Sequence, residues 1–246
     1  MIEAVFISDL HLNPQEPAIT KRFNQFVNWA LMNTRSVYIL GDFFHVWPGD
    51  DAIDEWSMGI AKRLAQLAEQ GIAVYYMHGN RDFLLGEIFA QAAKFTILNE
   101  PTIISLGNQN VLLAHGDRYC TKDRGHQRLR WLTRNRLFPK IFLKLPFNIR
   151  HRLVNQVRKT SQNNRSKSEQ QLNIVHPVML QHIHELKADA IIHGHIHQPE
   201  IKPHFFHGKT ITQYVLSDWD DNPKIMCYDD SNRFYFDLLV EDEHAQ

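Results

Sequence analysis

The 246-residue sequence is poor in cysteine and has no long apolar run. Its two cysteines, Cys120 and Cys227, lie far apart and belong to no paired motif. This pattern argues against a disulfide framework, fits a reducing compartment and disfavours a structural zinc site built from thiolates. No apolar segment approaches the roughly 18 residues that a membrane-spanning helix needs, so we expect none.

The sequence also lacks an excess of charge of either sign. Its 27 Lys and Arg residues balance 27 Asp and Glu residues, so the overall charge does not indicate nucleic acid as a partner. The first nine residues include Glu3 and Asp9 but no basic segment, so we expect no signal peptide and a cytoplasmic protein. With 43% apolar and 22% charged residues, the composition is that of a globular protein, and we predict one domain over residues 1–246.

Short apolar runs rich in β-branched residues alternate with segments of helical periodicity, which predicts a layered α/β domain. We expect helices at 17–32, where Pro17 suits a first turn, and at 54–70, which ends at Gly71. We expect the region 201–240 to be extended, with little helix. The predicted strands are 3–7, 36–40, 72–77, 110–114 and 188–192.

Five polar motifs follow predicted strands directly. Because the carboxyl ends of strands collect ligand-binding groups in α/β sheets, we expect these motifs to converge although they span most of the chain. Fifteen histidines are present, and several of them fall in these motifs. The five are Asp9-Leu10-His11, Gly41-Asp42, Gly79-Asn80-Arg81-Asp82, His115-Gly116-Asp117 and Gly194-His195-Ile196-His197.

The residue types in these motifs suit a divalent metal. Asp-x-His and His-x-His place two side chains on the same side of an extended chain. Carboxylate oxygens with imidazole nitrogens suit Mn²⁺, Fe²⁺ or Zn²⁺. Asp42 is placed to bridge two ions, and two ions about 3.5–4 Å apart promote in-line attack on phosphorus. Each motif on its own is equally typical of a capped turn or of a buried histidine with a hydrogen bond. Five such motifs in one chain favour a metal centre.

The middle of the chain has a different character. Residues 118–167 contain fifteen Lys or Arg and one acid, Asp123, mixed with large apolar side chains. The segment is predicted to be helical. Such asymmetry marks an insertion or a functional surface, although an amphipathic helical hairpin with a solvated basic face has the same composition.

The five motifs together resemble the signature of the calcineurin-like metallophosphoesterase superfamily, which runs D-x-H, G-D, G-N-H-[DE], H and G-H-x-H. The resemblance covers residues 9–197. It implies an α/β fold, a β-sandwich of mixed sheets flanked by helices. It further implies that one metal is held by Asp9, His11, Asp42 and His197, and a second by Asp42, Asn80, His115 and His195.

Arg81 departs from that signature, because the family usually has histidine there to assist the leaving group. An alkoxide leaving group needs such a proton, whereas a phosphate does not. A pyrophosphate substrate also offers extra negative charge that a guanidinium binds bidentately. The substitution therefore favours cleavage of a phosphoanhydride.

A further resemblance is carried by the runs ILGDFFHVWPGDD, HGNRDFLLG, HGDRYCTKD, SQNNRSKS and IIHGHIHQP together with the basic helical segment. Over nearly its whole length the chain resembles a branch of the family that acts in lipid A synthesis. That resemblance implies hydrolysis of UDP-2,3-diacylglucosamine by water that two Mn²⁺ ions activate for attack on the α-phosphorus. The products would be UMP and 2,3-diacylglucosamine 1-phosphate. It implies a helical lid at residues 122–168 and peripheral association with the anionic cytoplasmic face of the inner membrane. No nucleic acid and no obligate protein partner are expected.

The resemblance also assigns side chains to roles. Catalysis would rest on Asp42, Asn80, Arg81 and His195. Asp82, His78 and His193 are expected to support the loops. The interval from Ser161 to Asn164 is one residue shorter than the family spacing. Of the expected substrate contacts, Ser161 is therefore the least well matched, and Asn163 is an alternative to Asn164. The expected substrate contacts are Asn80, Arg81, Asp123, Arg158, Ser161, Asn164, Lys167 and His195.

Apolar side chains of the basic segment are expected to form a chamber for acyl chains. A soluble nucleotide or dinucleotide phosphoesterase would not need this apolar character; a non-catalytic metal-binding scaffold would tend to lose ligands, and a nuclease would use the basic residues alone. No site is expected at Leu216-Ser217-Asp218-Trp219, where serine stands at a family glycine position. The chamber residues are Trp131, Leu132, Leu137, Phe138, Ile141, Phe142, Leu145, Phe147, Ile149 and Leu153.

Overall fold

The structure is a computed structural model that describes residues 1–135, 137–163, 173–220 and 222–239, with the backbone alone for residues 157–163. Along the chain the elements are β1 (Ile2–Ile7), α1 (Pro17–Asn33), β2 (Ser36–Ile39), α2 (Glu55–Glu69), β3 (Ala73–Met77), α3 (Glu87–Ala93), β4 (Thr96–Leu98), β5 (Thr102–Leu106), β6 (Gln109–Leu113), α4 (Arg124–Thr133), α5 (Phe138–Phe142), α6 (Phe147–Asn163), α7 (His176–Glu185), β7 (Ala190–His193), β8 (Glu200–Phe206), β9 (Lys209–Val215), β10 (Lys224–Asp229) and β11 (Phe234–Leu238).

Local sequence signals explain where the first helices begin. Helix α1 has Pro17 at its first position, where the missing N–H costs nothing. Helix α2 begins with a capping box, in which the Asp54 carboxylate accepts from the Ser57 N–H at 2.8 Å and the Ser57 hydroxyl accepts from the Asp54 N–H at 2.9 Å. Both helices turn a buried apolar face to the sheet, as their periodicity predicts.

The strands form two mixed sheets. One has the order β11-β10-β1-β2-β3-β4 and the other the order β5-β6-β7-β9-β8. Strands β1, β2 and β3 run parallel in the first sheet, and β6, β7 and β9 run parallel in the second. Parallel neighbours bring successive carboxyl ends to one edge of each sheet.

Three apolar clusters define four layers. One lies between the six-stranded sheet and helices α1, α2 and α3. A second lies between the sheets and contains Phe6 and Met226 of one with Val111 and Ile192 of the other. The third joins the five-stranded sheet to α7. The predicted sandwich of mixed sheets flanked by helices is confirmed.

The basic middle segment is helical, as predicted, but consists of three helices, α4, α5 and α6, among the described residues. The strands β4 and β5 and the helices α3 and α7 had no counterpart in the sequence prediction. None of the helices in the described part of the chain combines the length and apolar character needed to cross a bilayer.

Candidate metal centre

The five polar motifs meet at one edge of the sandwich. Asp9, Asp42 and Asn80 follow the parallel strands β1, β2 and β3, while His115 and His195 follow β6 and β7. Ligand atoms of Asp9, His11 and His197 lie within 4.8 Å of one another, and so do those of Asp42, His115 and His195. The structure therefore brings together two adjoining groups of metal-ligating side chains.

The backbone of these loops is strained at five of the candidate metal ligands. Five non-glycine residues of the cluster have left-handed backbone angles, a conformation that persists only where the surroundings enforce it and that recurs at functional sites. Their φ angles are 56° for Asp9, 52° for His11, 51° for Asp42, 71° for His195 and 55° for His197.

Two glycines permit the loops to touch. A Cβ on Gly79 would overlap the backbone nitrogen and the carboxylate of Asp42, and one on Gly194 would overlap the Asp9 carboxylate and the Ser8 hydroxyl. The absence of a side chain at both positions lets backbone and carboxylate approach closely.

One carboxylate oxygen of Asp9 accepts two hydrogen bonds, and the other faces His197. Its Oδ2 accepts from the Ser8 hydroxyl at 2.6 Å and from the His195 N–H at 2.8 Å. Its Oδ1 lies 3.3 Å from Nε2 of His197 and has no hydrogen-bond partner. Both ring nitrogens of His11 are likewise buried without a partner.

The second group is built around the buried pair of Asp42 and His115. Nδ1 of His115 donates to the Leu40 carbonyl at 2.9 Å, which fixes the tautomer and leaves Nε2 facing Asn80 Oδ1 at 2.9 Å and Asp42 Oδ1 at 3.6 Å. Nε of Arg81 lies 3.4 Å from Asp42 Oδ2. Outer contacts of this kind orient metal-binding histidines.

Burial and close neighbours shift the pKa values of the carboxylates and imidazoles in the cluster. Burial is the largest influence on the pKa of His115 and lowers it, but the carboxylates of Asp42, Asp9 and Asp117 together raise it to about 9. Burial raises the pKa of Asp42 to about 6. Burial lowers the pKa of His195 to about 3, so that this imidazole is neutral and has a lone pair to offer.

These residues fit divalent cations. The unpartnered buried atoms of Asp9 and His11 are costly to leave without a hydrogen bond or a metal. The donors are carboxylate oxygens and imidazole nitrogens, a set suited to Mn²⁺, Fe²⁺ or Zn²⁺.

Three predicted supporting residues have structural roles, as expected. Asp82 is fully buried and accepts the backbone N–H of Gly79 at 2.8 Å and of Phe43 at 2.7 Å, which joins two of the loops. Nε2 of His78 donates to the Leu85 carbonyl at 2.7 Å. His193 is buried and contacts Gln213, its Nε2 lying 2.8 Å from the carboxamide nitrogen.

Asp218 lies beside the metal centre, although the sequence predicted no site in the segment 216–219. Its Oδ2 lies 3.5 Å from Nδ1 of His197, on the side of the ring opposite Asp9. Because Asp218 is twenty-one residues from His197 in the sequence, no local motif connects them. The only signal was its place just after the apolar run that forms β9.

Helix α4 brings His126 and Arg130, which no sequence motif indicated, to Asp117 of the fourth polar motif. Asp117 is buried, and its Oδ2 lies 3.4 Å from Nε2 of His126 and 3.1 Å from Nε of Arg130. The His126 ring centroid lies 5.6 Å from that of His195. The available signal was the even spacing between His115 and Asp117, which places both on one side of an extended chain.

A cavity of about 170 Å³ joins the metal centre to helices α4, α5 and α6. Its polar end includes Asn80, Arg81 and Asp117. Its other walls are largely apolar, and their side chains come from the β3–α3 loop and from all three helices. The apolar lining residues include Phe83, Leu129, Phe138, Phe142, Leu153 and Val154.

The apolar side chains expected to form a chamber divide between two surfaces. Phe138, Phe142 and Leu153 line the cavity as predicted. For Trp131, Leu137 and Ile141 the prediction was wrong, because their exposed fractions are 75%, 64% and 65% and they are not among the lining residues. When both sides of a short helix carry apolar residues, composition alone does not show which side faces the cavity.

The remaining predicted substrate contacts are only partly described. Oδ1 of Asp123 accepts from the His126 N–H at 3.1 Å and so caps α4. Arg158 and Ser161 lie in α6, and their side chains are outside the described part of the structure. Asn163 is described by its backbone alone, and Asn164 and Lys167 are outside the described residues.

Three arginines connect the segment from α4 to α6 with the sandwich through hydrogen bonds and ion pairs. Arg134 donates to the carbonyls of His78 and Gly79 at 2.9 and 3.0 Å, directly at the metal-site loop. Arg130 pairs with Glu100 as well as with Asp117. The buried Arg150 donates to the Pro48 carbonyl and pairs with Asp51.

Comparison with known proteins agrees with this geometry. The family model of calcineurin-like phosphoesterases matches residues 3–199. Proteins named UDP-2,3-diacylglucosamine hydrolase are 39% identical in Pseudomonas putida, over 88% of this chain and 90% of the relative, and 39% identical in Pseudomonas aeruginosa, over 89% and 92%. The protein of that name in Pseudomonas syringae is 35% identical over 96% of this chain and 97% of its own. The match extends over most of the chain and includes every loop of the metal centre, and the chain therefore belongs to the calcineurin-like phosphoesterase family.

Proposed function

We propose that this protein hydrolyses the pyrophosphate bond of UDP-2,3-diacylglucosamine to UMP and 2,3-diacylglucosamine 1-phosphate, a step of lipid A synthesis. The observation that carries the proposal is the cavity, whose polar lining includes Asn80 and Arg81 of the metal-site loop while most of its remaining surface is apolar. A diacylated nucleotide sugar needs both surfaces at once. Relatives that bear the name of this activity match about 90% of the chain.

Two Mn²⁺ ions are the proposed cofactors. Asp9, His11, Asp42 and His197 would hold one, and Asp42, Asn80, His115 and His195 the other; the proximity of the ligand atoms supports this division. When bound, the ions supply charge neutralisation and an activated water for attack on the α-phosphorus. Asp218, beside Nδ1 of His197, would fix the orientation of that ring.

Arg81, Asn80 and His195 are the proposed groups that bind the reacting phosphates. All three lie at the metal centre, and Arg81 and Asn80 also line the cavity. A guanidinium there stabilises charge on phosphoryl oxygens without giving up a proton. The leaving group is a phosphate, so no general acid is needed at position 81. Asp123, Arg158, Ser161, Asn164 and Lys167 are proposed as further substrate contacts.

The segment 122–168 is proposed as a lid over the acyl chains. Phe138, Phe142 and Leu153 supply its inner apolar surface, and Leu129 adds to it. Burying hydrocarbon against such a wall contributes about 0.8 kcal/mol per methylene. A soluble nucleotide phosphoesterase of the same family would not need this apolar surface.

The outer surface of the same segment is proposed to contact the membrane. Trp131, Leu137 and Ile141 are exposed there among Lys and Arg side chains. Apolar and basic residues together favour the surface of an anionic bilayer. The proposed location is therefore the cytoplasmic face of the inner membrane, where the lipid substrate would be found.

A paired hydrolysis assay with Mn²⁺ tests the proposal. One substrate is UDP-2,3-diacylglucosamine, and the other is UDP-N-acetylglucosamine, which has the same pyrophosphate without long acyl chains. We expect release of UMP from the acylated substrate alone. Equal turnover of both would replace the proposal with a soluble nucleotide phosphoesterase, and turnover of neither by the Mn²⁺-bound protein would indicate a non-catalytic scaffold.

A further inference from the structure

A buried chain of hydrogen bonds runs from the surface of the five-stranded sheet to the Gly194–His195 loop. Nε2 of the half-buried His204 lies 2.8 Å from Oε1 of Gln213, and Nε2 of Gln213 lies 2.8 Å from Nε2 of His193. Nδ1 of His193 then lies 2.9 Å from the carbonyl oxygen of Gly194. Gln213 is 1% exposed and His193 is fully buried.

Only one arrangement of hydrogens satisfies this chain. The Gly194 carbonyl can only accept, so Nδ1 of His193 carries a hydrogen. The Gln213 carboxamide nitrogen can only donate, so Nε2 of His193, which lies 2.8 Å from it, accepts. The Gln213 carboxamide must then donate its N–H to His193 and turn its oxygen toward a protonated Nε2 of His204. Gln213 is therefore the hydrogen-bond partner of Nε2 and, together with the Gly194 carbonyl at Nδ1, holds the His193 ring in one orientation.

The loop at the end of this chain is under strain. His195 follows Gly194 with a φ of 71°, and His197 has a φ of 55°. Four hydrogen bonds hold this loop, and one of them is internal, from the Ile196 N–H to the Gly194 carbonyl at 2.9 Å. In the other three, the Gly194 N–H donates to the His115 carbonyl at 2.9 Å, the His195 N–H donates to Asp9, and the Gly194 carbonyl accepts from His193.

The first two of those bonds come from within the metal centre, whereas the third comes from outside it. Left-handed non-glycine residues persist only where neighbouring contacts over-determine them. We infer that Gln213, acting through His193, is a positioning residue that holds the Gly194–His195 peptide in the conformation required for the imidazoles of His195 and His197 to bind metal. This inference rests on the proposed function of the metal centre.

The replacement Gln213→Leu tests the inference, because it keeps the buried volume and removes both hydrogen bonds. The readout is the dissociation constant for Mn²⁺, measured by calorimetric titration of the metal-free full-length protein. We expect binding to weaken about tenfold, the lower end of the range for outer contacts of metal ligands. Ile211→Val is the matched control, because Ile211 is buried on the same face of β9 and outside the hydrogen-bond chain, and we expect it to bind Mn²⁺ as the wild type does.

A double mutant separates positioning from packing. If Gln213 acts through His193, then His193→Phe combined with Gln213→Leu should weaken Mn²⁺ binding no more than His193→Phe alone. A Gln213→Leu protein that is less heat-stable but binds Mn²⁺ as tightly as the wild type would show that the glutamine only packs, and would overturn the inference.

Two further results keep the test decisive. If Gln213→Leu does not fold, Gln213→Met decides instead, because it also removes the carboxamide, and unchanged Mn²⁺ affinity in that variant would overturn the inference. Failure of the wild type to bind Mn²⁺ would refute the proposed function and this inference together. Normal binding and turnover by both the wild type and Gln213→Leu would refute this inference alone.

Discussion

Gly194 occupies a position where a side chain would displace the carboxylate of Asp9. We predict that Gly194→Ala abolishes most of the metal binding, because its Cβ would overlap Asp9 Oδ2 and the Ser8 hydroxyl. The Mn²⁺ affinity should fall by at least about tenfold, as is typical when the support of metal ligands is disturbed. Calorimetric titration with Mn²⁺ measures this directly, and hydrolysis should fall in parallel.

Gly59→Ala is the matched control for that change. Gly59 lies inside helix α2, and no atom is within 4 Å of the place where its Cβ would be. Alanine there should stabilise the helix by roughly 0.5–1 kcal/mol and leave Mn²⁺ binding unchanged. If Gly194→Ala bound Mn²⁺ as tightly as Gly59→Ala does, the close approach of Gly194 to Asp9 would have no functional importance.

Replacing Arg81 should separate catalysis from metal binding. Nε of Arg81 lies 3.4 Å from Asp42 Oδ2, so the guanidinium opposes any cation held by that carboxylate. We predict that Arg81→Gln lowers the hydrolysis rate about 10²-fold or more, because a charged donor to the phosphates is lost, whereas Mn²⁺ binding becomes no weaker. Arg81→Lys should recover only part of the rate, since a point charge cannot bind bidentately. A variant with weaker Mn²⁺ binding would instead assign Arg81 to the metal loop.

Individual site residues differed in how far the sequence could predict them. Asp9, His11 and His197 were predictable because the chain places them directly after strands in alternating motifs. Asp218 and Gln213 were not, because each acts on a partner about twenty residues away through the pairing of β7 with β9. Such contacts depend on strand register, which a single sequence does not specify.

At the scale of elements, helix α5 presents neighbouring residues to opposite environments. Phe142 lines the cavity and stacks on Phe138 with ring centroids 5.2 Å apart, whereas Ile141 is 65% exposed. We predict that Phe142→Ala lowers kcat/KM for the diacylated substrate roughly tenfold or more, since burying a phenyl group contributes roughly 1.5–3 kcal/mol. Steady-state kinetics in detergent provide the measurement.

Ile141→Ala serves as the control in that assay and as a test in another. In detergent its kcat/KM should equal that of the wild type. On vesicles containing phosphatidylglycerol, Ile141→Ala should bind severalfold more weakly, because about 0.8 kcal/mol is lost per methylene no longer buried in lipid. Equal kinetic losses in both variants would indicate that α5 acts only as packing, with no inner and outer surface.

The elements that could be predicted are those with strong local periodicity. Helices α1 and α2 and strands β1, β2, β3, β6 and β7 were found within a few residues of their observed bounds. Strand β4 has three residues and helix α3 has seven, too few to establish a period. Helix α7 begins without a side-chain cap, and its only start signal is Pro177 in its first turn, which did not suffice to predict the helix.

At the scale of the whole molecule, metal binding should be linked to folding. Residues 9 to 197 supply the ligands, so the centre exists only when both sheets have assembled. A ligand that binds the folded state alone stabilises it by about 2.7 kcal/mol at 100 times its dissociation constant. For a chain of this size we therefore predict that Mn²⁺ raises Tm by about 5–10 °C, measured by calorimetry against a chelator-treated sample.

The size of that shift should depend on pH in a defined direction. Burial raises the pKa of Asp42 to about 6, and nearby carboxylates raise the pKa of His115, despite its burial, to about 9. Both groups must lose a proton before they can bind metal, so protons compete with Mn²⁺ and the rise in Tm should shrink from pH 8 to pH 5.

Asp42→Asn should remove most of the Mn²⁺-dependent rise in Tm at every pH. The control Asp189→Asn makes the same change at a half-buried aspartate paired with Lys209 outside the ligand groups, and it should keep the shift. A shift that grew on acidification would contradict a centre built from these carboxylates and imidazoles.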